Sequence, residues 1–315
     1  MLNRREYLFL YDVSFGNPNG DPNDENKPRI DEETGRNIIT DVRLKRTVRD
    51  YLYDFKGMEI FVREIKEGEY VIDGKKRASM FGNNPENIIN SCIDIRLFGG
   101  VIPLEKKNNN KKGKKEETKE EETTEDTKSG SIKFTGPVQF NMGQSLHKVK
   151  LEYIKGTGAF ASKKEKTTKT FREEWILPYS LIAFHGVFNE NASKHTKTTE
   201  KDLEHLREVL WYGTKNLITR SKMEHIPRLL IEIVYKPNTY FHIGELHRYV
   251  KIETNIPEEH IRSTDDFILN IDRLIEVIEE EKDKIEKVNY KVDRNLRLSR
   301  DLKSDLVEFQ EIKGI

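Results

Sequence analysis

Cysteine is nearly absent from this 315-residue chain, as are the apolar runs that mark membrane proteins. The single Cys92 cannot form an internal disulfide or a multi-cysteine zinc site, which indicates a reducing compartment. No stretch of about 18 apolar residues occurs. The start of the chain carries Arg4, Arg5 and Glu6 where a signal peptide would have an apolar core. We therefore expect a soluble, cytoplasmic protein with no membrane partner.

Sequence motifs for nucleotide and metal chemistry are also missing. The chain has no Gly-x-x-x-x-Gly-Lys phosphate loop and no His-Glu-x-x-His zinc motif. An acidic stretch from Asp21 follows a calcium loop only in part: Glu32 stands at its twelfth position, but Asn26 stands where that loop needs glycine. We predict no cofactor, no metal site and no catalytic residue.

Charge is balanced over the whole chain, with 55 basic and 55 acidic residues, so any argument for nucleic-acid binding must be local. Residues 105–130 hold eight lysines and eight acids but no large apolar residue. Such a segment cannot bury enough surface to fold, and it is predicted to be a disordered loop joining two strands. Residues 145–172 carry eight cations and two acids. This pattern predicts a basic projection, with bounds of 145–175.

The most informative stretch runs from Tyr7 to Tyr53. Alternating apolar residues from Tyr7 to Phe15 predict a strand. Asn17-Pro-Asn-Gly-Asp-Pro22 then predicts a turn-rich loop. Thr40 or Asp41 can cap a helix whose apolar stripe includes Leu44 and Val48. Four cations of this helix are expected to project away from the core and to bind phosphate: Arg43, Lys45, Arg46 and Arg49.

Later segments continue a strand–helix alternation. Residues 131–140 predict one strand, with a bulge or an edge position at Gly136-Pro137. Residues 181–188 and 229–235 predict buried strands, and Thr199 with Asp202 predicts a capping box for the helix between them. Residues 265–286 predict an amphipathic helix with an acidic outer side, followed by a return strand. The order strand, helix, two strands, helix, strand predicts an α+β fold with a ferredoxin-like, RRM-like βαββαβ core and a mostly antiparallel sheet. Tyr7, Phe9 and Tyr11 could stack bases on such a sheet, but we favour a core position for them.

The block NPNGDPN…PRIDEETGRNIITDVRLKRTVRDY resembles the opening of CRISPR-associated Cascade backbone subunits, the Cas7 superfamily, in the branch shared by type I-B and I-C systems. Shorter matches follow in order: Asp94-Ile-Arg96-Leu-Phe98-Gly99, Gly136-Pro-Val-Gln139-Phe140 with Gln144-Ser145, and Leu177-Pro-Tyr179. The resemblance covers most of residues 7–245.

The resemblance implies one RRM-like domain over 1–315, shaped as a palm with insertions. The finger-type insertion would be 56–90, the thumb 145–175, and 265–315 would add a C-terminal helix and strand. It also implies a non-enzymatic subunit that binds the CRISPR RNA (crRNA), stacks head to tail with copies of itself, contacts other Cascade subunits and supports pairing with target DNA.

The remaining predicted RNA contacts lie outside the cationic helix. Asn17, Asn19 and Gly20 would approach the sugar-phosphate chain. Further contacts are expected from the following residues: Arg96, Gln139, Asn141, Ser145, Lys148 and Lys150. Two alternatives remain open. One is a metal-dependent ribonuclease built on acids in residues 21–41. The other is a protein-interaction scaffold without an RNA role.

Overall fold

The computed structural model describes residues 2–103, 130–161 and 169–314. The strands, in chain order, are β1 Arg5–Gly16, β2 Gly20–Asp21, β3 Lys27–Pro28, β4 Ile30–Asp31, β5 Arg36–Ile39, β6 Lys66–Glu67, β7 Tyr70–Val71, β8 Gly99–Pro103, β9 Ser131–Thr135, β10 Val138–Phe140, β11 Gly143–Ser145, β12 Glu152–Ala161, β13 Lys169–Phe188, β14 His225–Tyr235, β15 Lys251–Glu253, β16 Ile268–Asn270, β17 Ile285–Val292 and β18 Phe309–Glu311.

The helices are α1 Asp41–Asp54, α2 Gly74–Ser79, α3 Pro85–Ser91, α4 Ile93–Phe98, α5 Glu190–Thr196, α6 Glu200–Lys215 and α7 Asp272–Glu280, with short 3-10 turns at Leu246–Arg248, Glu258–His260 and Thr264–Asp266. Within the described ranges, none of these helices is long and apolar enough to cross a bilayer.

One large sheet organises the described part of the chain, in the order β18-β17-β14-β1-β13-β11-β5-β4, and β10 and β12 also pair with β13. β1 lies at its centre and pairs antiparallel with both β13 and β14. The β17–β18 pair is parallel, whereas the other pairs of this sheet are antiparallel. The prediction of a mixed, mostly antiparallel α/β fold is therefore confirmed.

The side chains on the two faces of β1 belong to two separate hydrophobic cores. Tyr7, Phe9 and Tyr11 pack with α1 and α6 on one face, as favoured above, and are at most 5% exposed. Leu8 and Leu10 pack on the other face with α7 and the C-terminal segment. Each face buries large apolar side chains, which contribute about 1.5–3 kcal/mol apiece.

Several local predictions are confirmed. α1 begins after Thr40, whose side chain accepts from the amide of Arg43. Thr199 and Asp202 form the predicted capping box of α6. Residues 229–235 lie in β14, between β1 and β17. The charged loop predicted at 105–130 lies almost wholly outside the described residues, but its flanks β8 and β9 do pair, so the loop joins two strands as expected.

Two element predictions are wrong. The helix predicted over 265–286 is shortened to α7, because Ile268–Asn270 instead pairs as β16 with β15 and buries Leu269 in the second core. The single strand predicted over 131–140 is two strands, since Gly136 interrupts it and leaves β9 on β8 but β10 on β13. A Cβ at Gly136 would lie 2.0 Å from the carbonyl carbon of Phe98, so only glycine fits there.

The basic projection is a hairpin. β12 pairs antiparallel with the first half of β13 from Glu152↔Ile176 outward. Part of its predicted basic surface, including Lys163, Lys164 and Lys166, lies outside the described residues. The predicted domain bounds, including the finger-type insertion at 56–90, stay predictions.

Candidate nucleic-acid interface

The loop between β1 and α1 is held rigidly against the start of the helix. The side-chain amide of Asn17 donates to the carbonyl of Asn26 at 2.6 Å. Asn19 Oδ1 accepts from the amide and the hydroxyl of Thr40, at 3.1 and 2.8 Å. A Cβ at Gly20 would lie 2.2 Å from Asn26 Oδ1, so glycine is required by close packing. The side chains of Asn17 and Asn19, and the small size of Gly20, therefore build this loop and fix the register of α1.

Beside this loop lies a cluster of basic groups, Arg43, Lys222 and His225, which we call the cationic cluster. Arg43 comes from α1, His225 opens β14, and Lys222 stands in the turn before it. Arg43 donates to Thr47 Oγ1 at 3.1 Å, and Lys222 Nζ donates to the carbonyl of Asn17 at 3.0 Å. Within the described ranges neither cation forms a salt bridge.

The pKa values of all three groups in the cationic cluster are lowered. Burial, followed by the neighbouring charge of Arg43, lowers the pKa of Lys222. Burial lowers the pKa of Arg43 as well. His225 is 2% exposed, its Nε2 has no hydrogen-bond partner, and burial with Lys222 and Arg43 lowers its pKa to about 3. Buried charge without a counter-charge is costly, so the arrangement is suited to binding an anion.

The other cations of α1 are tied to acids. Lys45 Nζ lies 2.9 Å from Asp41 and 3.5 Å from Gln139 Oε1. Arg46 pairs with Asp50 and donates to the carbonyl of Val62 at 3.0 Å. Lys45 and Gln139 thus extend the polar surface of α1 towards β10.

The prediction that Arg49 projects away from the core is wrong. Arg49 is 9% exposed and its Nε donates to Asp94 at 3.0 Å. The same carboxylate accepts from the amides of Phe61 and Val62, at 2.8 and 3.0 Å. This buried pair fastens the segment after α1 to the helix. Removing one partner of such a pair leaves an uncompensated buried charge, which typically costs about 3–5 kcal/mol.

Three further predicted contacts lie in three different environments. Ser145 is fully buried, accepts from the amide of Asn37 and donates to the carbonyl of His147, so the expectation of a shared surface is wrong for it. Arg96 binds both oxygens of Asp202, at 3.0 and 2.8 Å. Asn141 is exposed, but its Oδ1 accepts from the amide of His185 at 2.9 Å.

Lys148 and Lys150 are exposed at the base of the projection. Lys150 lines a groove of about 660 Å³ between the β2–β4 loop and the projection. Trp175 forms one wall of this groove, with Lys27 Nζ 5.2 Å from its ring centroid and the tilted ring of Tyr153 at a centroid distance of 5.0 Å. Aromatic faces flanked by lysines are the elements with which proteins hold single-stranded nucleic acid.

Three acids of residues 21–41 accept hydrogen bonds from residues close to them in the chain. Asp21 accepts from the amide of Asn23, Asp24 from Lys27, and Asp31 from Thr34. Among the described residues no three His, Cys, Asp or Glu side chains gather as a metal-binding group.

Lys222 and His225 were not among the residues predicted from the sequence. No motif marks them, because a lysine in a turn and a histidine at a strand start are common at the surface. The pairing Val13↔His225 places them beside the loop after β1, about 200 residues away along the chain.

The family model described as CRISPR-associated protein Cas7 matches residues 3–272. This chain belongs to that family. A Cas7 protein from Haloferax volcanii is 31% identical over 314 residues, which cover 94% of this chain and 89% of the relative. The predicted family is therefore confirmed, and the assignment to the type I-B/I-C branch stays a prediction.

Two solved structures share the fold of this Cas7-family chain. A chain of a "CRISPR RNA-guided surveillance complex, pre-nicking" aligns with a TM-score of 0.54 and 10% identity, over 98% of this chain and 96% of the other. A chain of a "CRISPR RNA-guided surveillance complex" aligns with a TM-score of 0.51 and 12% identity, over 97% and 94%.

Proposed function

We propose that this Cas7-family chain is a non-enzymatic, crRNA-binding backbone subunit of a type I CRISPR surveillance complex. The cationic cluster is the observation that carries the proposal. Arg43 and Lys222 are partly buried cations that form no salt bridge with any described residue, and they flank a loop whose backbone is held rigid. A phosphodiester would supply the missing negative charge.

The binding mode follows from the chemistry of these side chains. Lys and Arg neutralise backbone phosphates and release counterions, which gives affinity without sequence preference. A subunit that holds any guide needs this property, because sequence is then read by pairing between guide and target. Arg43 and Lys222 would bind phosphate first, with Lys45 and Gln139 beside them. Lys150, which lines the groove, and Lys148, two residues before it, would add contacts at the base of the projection. Asn17, Asn19 and Gly20 would position the loop, and Asn141 stays a proposed contact.

Arg46, Arg49, Arg96 and Ser145 are weaker members of this surface. Arg49, Arg96 and Ser145 use their polar groups inside the protein, and Arg46 is already bound to Asp50 and Val62. We assign to them the support of the surface rather than contact with RNA.

The proposal also includes the assembly of copies along the guide and the ferredoxin-like core of the fold. Copies would stack head to tail along the guide, next to other subunits and to the target DNA paired with that guide, since a heterologous interface extends into an open filament. β1, α1, β11, β13, α6 and β14 would form the ferredoxin-like βαββαβ core, with β11 paired to β13. The arrangement of β14, β1 and β13 as neighbours supports this reading.

The test removes the two unpaired cations together. In the variant R43Q/K222Q we expect RNA affinity to fall by about 100-fold or more, because each lost charge-assisted hydrogen bond contributes roughly 10- to 100-fold. The slope of log affinity against log salt should become shallower by roughly 0.7 for each cation removed. Fluorescence anisotropy with labelled single-stranded RNAs of several sequences measures both quantities, and the loss should be equal for all sequences.

The control variant is R273Q/K303Q, which removes two exposed cations that are paired with Glu276 and Asp301. It should bind RNA like the wild type. Equal affinity and slope for R43Q/K222Q and the wild type would overturn the assignment. Cleavage of RNA with magnesium or manganese that Asp21→Ala or Asp24→Ala abolishes would support the ribonuclease instead. A wild type that binds no RNA would support the scaffold.

A further inference from the structure

Phe15, at the end of β1, is a large aromatic side chain that the fold does not bury. It is 62% exposed, whereas the aromatic residues Tyr7, Phe9 and Tyr11 of the same strand are at most 5% exposed. Its backbone φ is 45°, in the left-handed region that bulky residues avoid. Holding such a residue there costs on the order of 1–3 kcal/mol, so the position is unfavourable for both backbone and side chain.

The backbone on both sides of Phe15 is fixed by the turn that carries Lys222. The amide of Ser14 donates to the carbonyl of Glu224 at 3.3 Å, and the amide of Asn17 donates to the carbonyl of Ser221 at 2.8 Å. A Cβ at Gly16 would lie 2.7 Å from the same Ser221 oxygen. The chain is therefore closely packed here, and Phe15 is presented to solvent by a rigid support.

The turn that fixes the backbone around Phe15 carries exposed apolar side chains and a cation. Ile218 and Met223, on the turn that binds these amides, are 71% and 56% exposed. Lys222 lies between them in sequence and donates to the carbonyl of Asn17, two residues after Phe15. An exposed aromatic residue thus stands next to the cationic cluster.

We infer that Phe15 stacks against a base of the strand whose phosphate is bound by Arg43 and Lys222. The inference rests on the proposed function and adds to it a contact with the bases themselves. Charge complementarity selects this occupant: a nucleotide carries an aromatic face and a phosphate on one unit, matching the exposed ring and the unpaired cations. Stacking on an aromatic side chain tolerates every base, so the contact is compatible with any guide.

Two substitutions separate stacking from a structural role. Phe15→Asn removes the ring but suits the left-handed backbone, in which asparagine is enriched. We expect its melting temperature to equal or exceed that of the wild type, while its RNA affinity falls on the order of 5- to 100-fold, the range for one lost base stack. Phe15→Trp should keep the affinity. The salt slope should stay unchanged in both variants, because the phosphate contacts remain.

An RNA of abasic residues gives the sharpest readout. Wild type and Phe15→Asn should bind this oligomer equally, because it has phosphates but no bases to stack. The matched control is Tyr240→Asn, since Tyr240 is also aromatic, 64% exposed and left-handed, with φ 49°. This variant should bind both RNAs like the wild type.

Three outcomes would overturn the inference. Equal binding of normal RNA by Phe15→Asn and wild type would exclude stacking. Equal weakening for normal and abasic RNA would show that Phe15 acts through the fold. Loss of self-association with RNA affinity intact would assign Phe15 to an interface between copies. Failure of the proposed function is seen separately, as unchanged RNA binding in R43Q/K222Q.

Discussion

Two charged clusters lie at opposite ends of the β1–β14 pair, and they differ in whether their charges are paired. At one end the carboxylate of Glu232 is fully buried between Arg5 and Arg207, at 2.9 and 2.8 Å, and also accepts from Tyr7 and Asn289. At the other end Arg43 and Lys222 form no salt bridge with any described residue, although Asp50 attracts Arg43 without a direct contact. The first cluster is complete within the chain, whereas we propose that the second is completed by an added anion.

The pKa values follow this division. Burial alone would raise the pKa of Glu232, but Arg5 and Arg207 outweigh it and lower that pKa. For Lys222 and His225, burial and repulsion by neighbouring cations act in the same direction, so both pKa values fall. For Arg43, burial outweighs the attraction of Asp50, and its pKa falls as well. A cleft residue whose pKa is shifted by burial and neighbouring charge is a candidate for a functional site.

The largest effect is expected from Glu232→Gln. This change leaves Arg5 and Arg207 without their shared carboxylate and should lower the free energy of unfolding by about 3–5 kcal/mol. Urea denaturation followed by circular dichroism measures it. The matched variant in the other cluster, Arg43→Gln, should lose no stability, because it removes a repulsive charge. A destabilisation of the same size in both variants would show that the two clusters do not differ.

The next effect is a pH dependence that comes from His225. Its folded pKa of about 3 lies below the ordinary value, so the unfolded chain takes up the proton first and stability is lost as pH falls from about 6.5 towards 3. One such group contributes about 1.4 kcal/mol per pH unit within that window. Unfolding free energies of wild type and His225→Phe should therefore diverge between about pH 6.5 and 4.5.

The comparison of wild type with His225→Phe isolates the contribution of His225 to the pH dependence of stability. The pKa values of His147 and His247 are also lowered, chiefly by burial, and they contribute to the acid sensitivity of both proteins alike. Parallel profiles for wild type and His225→Phe would contradict the assignment. RNA binding should raise the pKa of His225 by supplying the counter-charge, so saturating RNA should flatten the wild-type profile.

The smallest effect is stabilisation by a simple anion. Pyrophosphate at about ten times its Kd should stabilise the wild type by about 1.4 kcal/mol, which corresponds to roughly 2–4 °C in the melting temperature. A chloride solution of equal ionic strength is the reference. R43Q/K222Q should show no such increase, and Glu232→Gln should retain it. An equal increase in R43Q/K222Q would place the anion elsewhere.

Local patterns were sufficient for the elements that depend on local physics. Alternation predicted β1, the threonine caps predicted the starts of α1 and α6, and a continuous apolar run predicted a strand within β14. The prediction of a helix over 265–286 is wrong for its first part, where pairing with β15 and burial of Leu269 outweigh helical periodicity. Periodicity cannot report a pairing partner that lies elsewhere in the chain.

Some residues of the candidate site could be predicted from local spacing, and others could not. Spacing on α1 identified Arg43 and Lys45, but it could not distinguish them from Arg49, because the deciding residue Asp94 lies 45 positions away. Lys222 and His225 carried no signal of their own. They became functional candidates only when the β1–β14 register placed them beside the loop after β1.

The sequence by itself determined the family, the central strand, the capped cationic helix and the rigid Asn/Gly loop, since each depends on residues close together in the chain. Tertiary structure alone decided which cations are compensated. Burial and distance set the energy of a charge, and both are properties of side chains that meet from distant segments. For that reason Arg49 and Arg43, six residues apart on one helix, differ: the first is paired with Asp94 inside the protein, and the second forms no salt bridge with the described residues.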